Sequence, residues 1–203
     1  MAKEMDNDAK LATVDPLDQF NVWFAEAAAQ EPVNPDAAAL ATSGTDGRTS
    51  VRMVLVKSAD KRGFVFYTNS ESRKGVEMAE NPWASLCFYW KSLLREVRVE
   101  GPVAQIGAAE SDAYFETRPR ASQIGAWASI QSRPMAGRFE FERRIAQFTA
   151  KYAVGAVPRP PFWNGYRIVP EKIEFWQERR FRLHDRILYS RSADGWTAER
   201  LYP

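Results

Sequence analysis

The spacing of apolar residues changes period along this chain, from helical near the start to strand-like soon after. Leu17, Phe20, Phe24 and Ala27 or Ala28 recur at helical intervals, which predicts an amphipathic helix with one apolar face. Asp15-Pro16 opens it: Asp caps, Pro suits the first turn, and Asp18 favours the positive helix end. Glu31-Pro32 and Asn34-Pro35 end it. Residues 38–43 and 49–57 then read as strands around Gly44-Thr45-Asp46-Gly47, whose Asp-Gly pair is a hairpin signal.

A third strand is expected at 63–68 and a short helix at 70–81, stopped by Pro82. Strands follow at 84–90 and 96–105. Residues 108–117 and 133–152 read as helices, separated by a segment around Arg118-Pro119-Arg120. After a Pro-rich stretch at 157–162 the chain returns to strands at 166–169, 172–177, 186–190 and 196–201. Antiparallel-looking strands with inserted helices predict an α+β, β-rich protein built on a β-barrel. Residues 1–14 read as a flexible leader and 15–203 as a single domain.

Composition narrows the chemistry. The 203 residues hold 28 basic and 26 acidic side chains, a formal net charge of +2. Such a balance gives no whole-surface field for nucleic acid or an anionic membrane, so anion recognition must come from local clusters. Cys87 is the single cysteine, expected as a small core residue, and His184 the single histidine. Zinc sites of the usual kind need three or four such ligands, so no metal site is expected and any redox chemistry falls to an organic cofactor. The polar N-terminus and the lack of any long apolar stretch point to the cytoplasm. Arg62-Gly63-Phe64-Val65-Phe66-Tyr67 has the aromatic look of an RNA-binding strand. Val65 fills the small-residue slot, however, and the flanking order is hairpins rather than βαβ.

Four clusters carry candidate chemistry. In Val51-Arg52-Met53-Val54-Leu55-Val56-Lys57 apolar residues occupy both alternating faces, predicting burial on both sides. Arg52 inside that run needs a partner, either a protein carboxylate or a bound phosphate. Arg73-Lys74 lies in the opening turn of a helix, where cations are disfavoured and an anion is welcome. Tyr114, Arg118, Arg120, Ser122, Gln131 and Ser132 offer the forks and hydroxyls that suit phosphate oxygens. In Arg182-Leu183-His184-Asp185-Arg186, strand geometry would alternate Arg182, His184 and Arg186 onto one face, inviting an anionic aromatic ligand.

From Asp15 to Pro203 the sequence resembles the pyridoxamine 5′-phosphate oxidase family. The resemblance rests on Arg52-Met53-Val54-Leu55-Val56-Lys57, Gly63-Phe64-Val65-Phe66-Tyr67-Thr68-Asn69 and Glu71-Ser72-Arg73-Lys74-Gly75. It continues through Arg118-Pro119-Arg120-Ala121-Ser122-Gln123-Ile124-Gly125-Ala126-Trp127, Ile173-Glu174-Phe175-Trp176-Gln177 and Arg182-Leu183-His184-Asp185-Arg186. It implies an FMN-binding split β-barrel with peripheral helices, a homodimer with two FMN sites at the subunit interface. The implied activity is oxidation of pyridoxamine and pyridoxine 5′-phosphates to pyridoxal 5′-phosphate by O2, releasing hydrogen peroxide and, from the amine, ammonia. Other split-barrel flavin oxidases and a non-catalytic FMN- or pyridoxal-phosphate-binding protein are the alternatives.

By position in the family motifs, FMN would be held by Arg52, Met53, Val54, Leu55, Val56, Lys57, Tyr67, Thr68, Arg73, Lys74, Gln131, Ser132, Trp176 and Arg186. Lys57, Tyr114, Arg118 and Ser122 would hold the substrate phosphate. Arg182, Leu183 and His184 would meet the pyridine ring, with Arg182 and His184 as the catalytic pair. One position departs: the family usually reads Arg-Gln-Val-Arg where this chain has Arg95-Glu96-Val97-Arg98. A carboxylate at Glu96 is unfavourable beside an electron-rich flavin unless protonated or paired with an Arg. The alternative is that Glu96 points elsewhere and pairs with Arg95 or Arg98.

Overall fold

Asp15 accepts the Leu17 N–H at 2.8 Å and Pro16 takes the first helical position, so helix α1 (Pro16–Gln30) begins where its cap places it. Its buried face carries Leu17, Phe20 and Ala27. Phe20 meets Phe64, Phe88 and Trp90 at ring-centroid distances of 4.8, 5.0 and 5.9 Å. The amphipathic pattern thus docks α1 into the same apolar cluster as the strands. The structure is a computed structural model describing residues 14–203; the expected leader, apart from Val14, lies outside the described residues.

Nine antiparallel strands follow: β1 (Ala37–Ser43), β2 (Thr49–Asp60), β3 (Gly63–Asn69), β4 (Trp83–Trp90), β5 (Arg95–Gln105), β6 (Trp163–Ile168), β7 (Lys172–Gln177), β8 (Asp185–Ser192) and β9 (Gly195–Arg200). The order β4-β1-β2-β3-β6-β5 closes on itself because β4 also pairs with β5. The other three extend the sheet from β5 in the order β7-β8-β9. Closure removes the exposed edges and encloses Leu40, Phe64, Phe66, Leu86, Phe88, Val97 and Ile168. A smaller cluster of Phe115, Ile124, Val157 and Trp163 lies beneath helices α3 (Ala108–Thr117) and α4 (Arg120–Ala128). Helix α2 (Arg73–Glu80) links β3 to β4, and α5 (Glu140–Lys151) precedes β6. No helix among the described residues is long and apolar enough to cross a membrane.

The α+β barrel agrees with the expectation from sequence; four local details differ. The expected helix at 133–152 starts only at Glu140, because Pro134 and Gly137 interrupt the segment before it. The segment around Arg120 is instead a helix, with Pro119 as its N-cap. On β2, Val51 and Met53 are 68% and 63% exposed, so the strand is not buried on both faces: positions 52, 54 and 56 turn inward, and their neighbours face an open surface. Cys87 sits on the outer, half-buried face of β4 rather than in the core.

Candidate active site

The end of β3 and the start of α2 bring the first cations together. Ser72 caps α2, Arg73 and Lys74 follow, and Gly75 packs so close that a Cβ there would lie 2.2 Å from the Ser70 carbonyl oxygen. Only glycine lets the helix start turn this tightly against the strand end. Lys74 Nζ donates to Thr68 Oγ1 and Gln131 Oε1, both at 3.2 Å. Gln131 comes from the link between α4 and α5, where Ser132 adopts a left-handed φ of 69°. These residues, with Arg52 to Leu55, Tyr67, Arg73 and Ser132, line a cavity of about 570 Å³.

Electrostatically the cavity is short of acid. Arg52 does have a protein carboxylate: its Nη2 lies 3.3 Å from Glu77 Oε2. Arg73 Nε donates to Glu77 Oε1 at 2.8 Å, and no ion pair joins Lys74 to a carboxylate among the described residues. Burial, then the neighbouring Arg52 charge, pulls Lys74 down to about 8. Three cations beside one carboxylate, which pairs with only two of them, favour a bound anion.

A second cavity of about 380 Å³ adjoins through Leu55 and Tyr67 and is lined by Lys57, Tyr114, Arg118, Ser122 and Trp163. Lys57 comes from β2, Tyr114 from α3 and Ser122 from the first turn of α4; Arg118 stands in the link between the two helices. Lys57 Nζ is held by Asp36 Oδ2 at 2.5 Å. Arg118 is different: its Nη1 is buried without a hydrogen-bond partner. Burial lowers its pKa from the ordinary value. An unsatisfied buried guanidinium edge beside a hydroxyl and a helix start fits a phosphate. Of the expected phosphate-binding cluster, Arg120 alone turns away, donating to the Gly155 and Tyr152 carbonyls.

The remaining expected residues sit elsewhere on the chain. Neither cavity is lined by Val56, which is buried in the barrel core, nor by Glu96, Trp176, Arg182, Leu183, His184 or Arg186. Arg182 is not on a strand: Arg180–Arg182 forms a 3-10 turn with left-handed φ at Phe181 and Arg182, and β8 begins only at Asp185. The alternation expected for Arg182, His184 and Arg186 therefore fails at Arg182. The His184 ring packs 4.6 Å from Trp176, and its Nδ1 accepts the Arg179 N–H at 3.3 Å. Leu183 is exposed. Glu96 accepts from Arg98 Nε, whose Nη1 reaches Glu174 Oε2 at 3.3 Å; Glu174 Oε1 accepts from Arg186 Nε at 2.7 Å. Glu96 thus pairs with Arg98, as both readings of it allow.

Sequence inspection missed Glu77, Asp36 and Trp163. Glu77 had a signal, since it stands four residues after Arg73 on one helix face. Asp36 and Trp163 had none, because β-sheet and helix packing bring them to their cations.

The chain is thus a closed antiparallel barrel protein with two adjoining, cation-lined cavities. Residues 24–152 match the family model described as pyridoxamine 5′-phosphate oxidase, and residues 163–203 match the pyridoxine 5′-phosphate oxidase C-terminal dimerisation region. The chain belongs to the pyridoxamine 5′-phosphate oxidase family. It is 61% identical to the pyridoxine/pyridoxamine 5′-phosphate oxidase of Rhodospirillum rubrum over 194 residues, 93% of this chain and 96% of the relative. The enzyme of the same name from Brucella canis is 55% identical over 193 residues, 94% of this chain and 95% of the relative. Among solved structures, PhzG from Burkholderia lata 383 in complex with tetrahydrophenazine-1-carboxylic acid superposes with a TM-score of 0.88 at 35% identity, covering 93% of each chain. A pyridoxamine 5′-phosphate oxidase-related, FMN-binding protein from Nostoc punctiforme shares the fold, with a TM-score of 0.74 at 17% identity over 94% of this chain and all of its own.

Proposed function

We propose that this chain is an FMN-dependent oxidase that converts pyridoxamine 5′-phosphate and pyridoxine 5′-phosphate to pyridoxal 5′-phosphate, with O2 as electron acceptor. The observation that carries the proposal is the buried, unpartnered Nη1 of Arg118, a residue lining a cavity of about 380 Å³ that adjoins the Arg52–Arg73–Lys74 cavity. The lysine and arginines of the larger cavity, with Thr68, Gln131 and Ser132, would hold FMN. Its acid-poor lining and its volume fit a phosphorylated aromatic group. The chemistry supplied by bound FMN is acceptance of two electrons from the substrate's C4′ carbon and their return to O2 as hydrogen peroxide.

The chain's own residues supply placement. Lys57, Tyr114, Arg118 and Ser122 grip the substrate phosphate, and the shared wall of Leu55 and Tyr67 sets the two ligands against each other. Arg182 and His184 orient the pyridine ring, and the Arg182 charge offsets negative charge developing on it. The alcohol leaves as the aldehyde; the amine, after reaction with water, leaves as aldehyde and ammonia.

The working unit in this proposal is a homodimer in the cytoplasm. Trp176, Arg182, His184 and Arg186 of one subunit complete the cavities of the other, which explains why they line neither cavity of their own chain. The exposed Val51 and Met53 beside the larger cavity give an apolar surface for that contact.

The test is a visible spectrum of the purified protein, followed by addition of pyridoxamine 5′-phosphate without oxygen. The flavin bands bleach, then recover in air as peroxide and pyridoxal 5′-phosphate form. A flavin that stays oxidised would refute oxidation of this substrate and leave a binding protein or a related oxidase, such as a phenazine-pathway enzyme.

A further inference from the structure

We propose that Trp163 is a positioning residue of the substrate-phosphate cavity: it holds the Arg118 guanidinium over its indole ring and leaves the guanidinium edge free for phosphate. The inference rests on the oxidase proposal and adds a residue that the sequence motifs do not mark.

Arg118 makes no side-chain hydrogen bond and no ion pair among the described residues, in contrast to Lys57 with its Asp36. Its specific contacts are aromatic. The guanidinium carbon lies 4.7 Å from the Trp163 ring centroid and 5.7 Å from that of Phe115. Trp163 is in turn well fixed. It is 7% exposed, its backbone N–H donates to the Pro160 carbonyl at 3.0 Å, and Phe115 meets its ring edge-on at 5.1 Å. Tyr67 stacks on it at 5.2 Å and 10°, and the Tyr114 ring lies nearly parallel to both.

A chemical reason favours this arrangement. A carboxylate would fix Arg118 equally well, but it would occupy the donor edge and neutralise the charge that phosphate needs. An aromatic face attracts the cation through its π-cloud and leaves all the edge donors available. Trp offers the strongest such face, and Leu offers none. Removing the ring is therefore expected to cost phosphate affinity through Arg118.

The experiment is a double-mutant cycle on the FMN-loaded enzyme with pyridoxamine 5′-phosphate, using Trp163→Leu, Trp163→Phe and Arg118→Ala. Trp163→Leu is expected to raise KM about tenfold while kcat falls less than about twofold, and Trp163→Phe to raise KM only about threefold. Added to Arg118→Ala, Trp163→Leu should raise KM no further. An equal rise in that background, or a loss of kcat with KM kept, would overturn the proposal. Calorimetric titration with inorganic phosphate reads the same cycle without turnover. Should the parent enzyme fail to oxidise the substrate, the oxidase proposal falls by itself. Weaker phosphate binding by Trp163→Leu only when Arg118 is present would still support the positioning role, and unchanged binding would end it.

Discussion

Glu77 braces two of the cavity cations from behind: its Oε2 lies 3.3 Å from Arg52 Nη2, and its Oε1 accepts Arg73 Nε at 2.8 Å. Thr42 and Ser50 add hydroxyl donors to Oε2 at 2.5 Å. One carboxylate thereby orders cations from β2 and α2 without balancing the whole cluster, because Lys74 remains outside the pairing. The cavity is rigid and still positive, which is what an anion site needs before its ligand arrives.

This bracing has a pH signature. Burial alone would raise the Glu77 pKa, but hydrogen bonds from Ser50, Thr42 and Arg73 and the charge of Arg52 outweigh it and hold the carboxyl at about 2. A lowered carboxyl pKa adds stability above its ordinary value of 4.5, and that stability is lost as pH falls towards about 2. Glu77→Gln should lower unfolding stability by about 3 kcal/mol at pH 7, as loss of one partner in a buried pair does. Unfolding free energies from denaturant titrations should fall between about pH 5 and about pH 2 for the parent and change less over that range for the variant. Parallel curves would show that Glu77 carries no such charge.

Lys74 predicts proton uptake on ligand binding. Without an anion its pKa is lowered to about 8, chiefly by burial and then by Arg52. A phosphate favours the charged form and returns the pKa upward. Titrating FMN into the apoprotein slightly above pH 8 in buffers of different ionisation heat should therefore show net proton uptake. Lys74→Met should abolish it. Equal heats in all buffers for the parent would mean that Lys74 does not meet the ligand's charge.

The legibility of this fold in its sequence follows the range of the forces involved. Local signals worked: Asp15-Pro16 set the start of α1, and Asp46-Gly47 set the β1–β2 hairpin, whose Gly47 has a φ of 73°. The anomaly of Arg73 and Lys74 at a helix start led straight to the larger cavity. The segment after Pro119 gave no clear helical signal, yet Arg120–Ala128 is a helix with Pro119 at its N-cap. The turn at Phe181 and Arg182 had no local mark at all, since neither residue type favours the left-handed region. Most hidden were relationships made only by packing: Asp36 on Lys57, and Trp163 beneath Arg118.

Glu96 yields a prediction that separates two readouts. It belongs to a chain of alternating charges with Arg98, Glu174 and Arg186, so Glu96→Gln leaves that chain with surplus positive charge. If this face lies against FMN in the dimer, the variant's flavin midpoint potential should be higher than the parent's, because positive charge favours the reduced, electron-rich form. Cys87 reports independently. Its thiol is pushed up to about 11 by burial first and by Glu96 next, so its reactivity towards an alkylating reagent should titrate at lower pH in the variant. A shifted thiol with an unshifted flavin would place Glu96 beside Cys87 but away from the cofactor.

The division of site residues between two groups on one chain makes the dimer testable by complementation. Arg118 lines the phosphate cavity, whereas Arg182 sits in an exposed 3-10 turn that lines neither cavity of its own chain. Arg118→Ala and Arg182→Ala homodimers should each be severely impaired. In a mixed dimer one site carries both substitutions and the other carries neither. After subunit exchange, half the dimers are mixed, so the mixture should recover roughly a quarter of the parent's activity. The assay is turnover of pyridoxamine 5′-phosphate before and after mild dissociation and reassociation of the mixture. Were both arginines to serve the same chain's site, every site in the mixture would carry one substitution and no activity would return. Recovery near a quarter would mean that each active site is assembled from two chains.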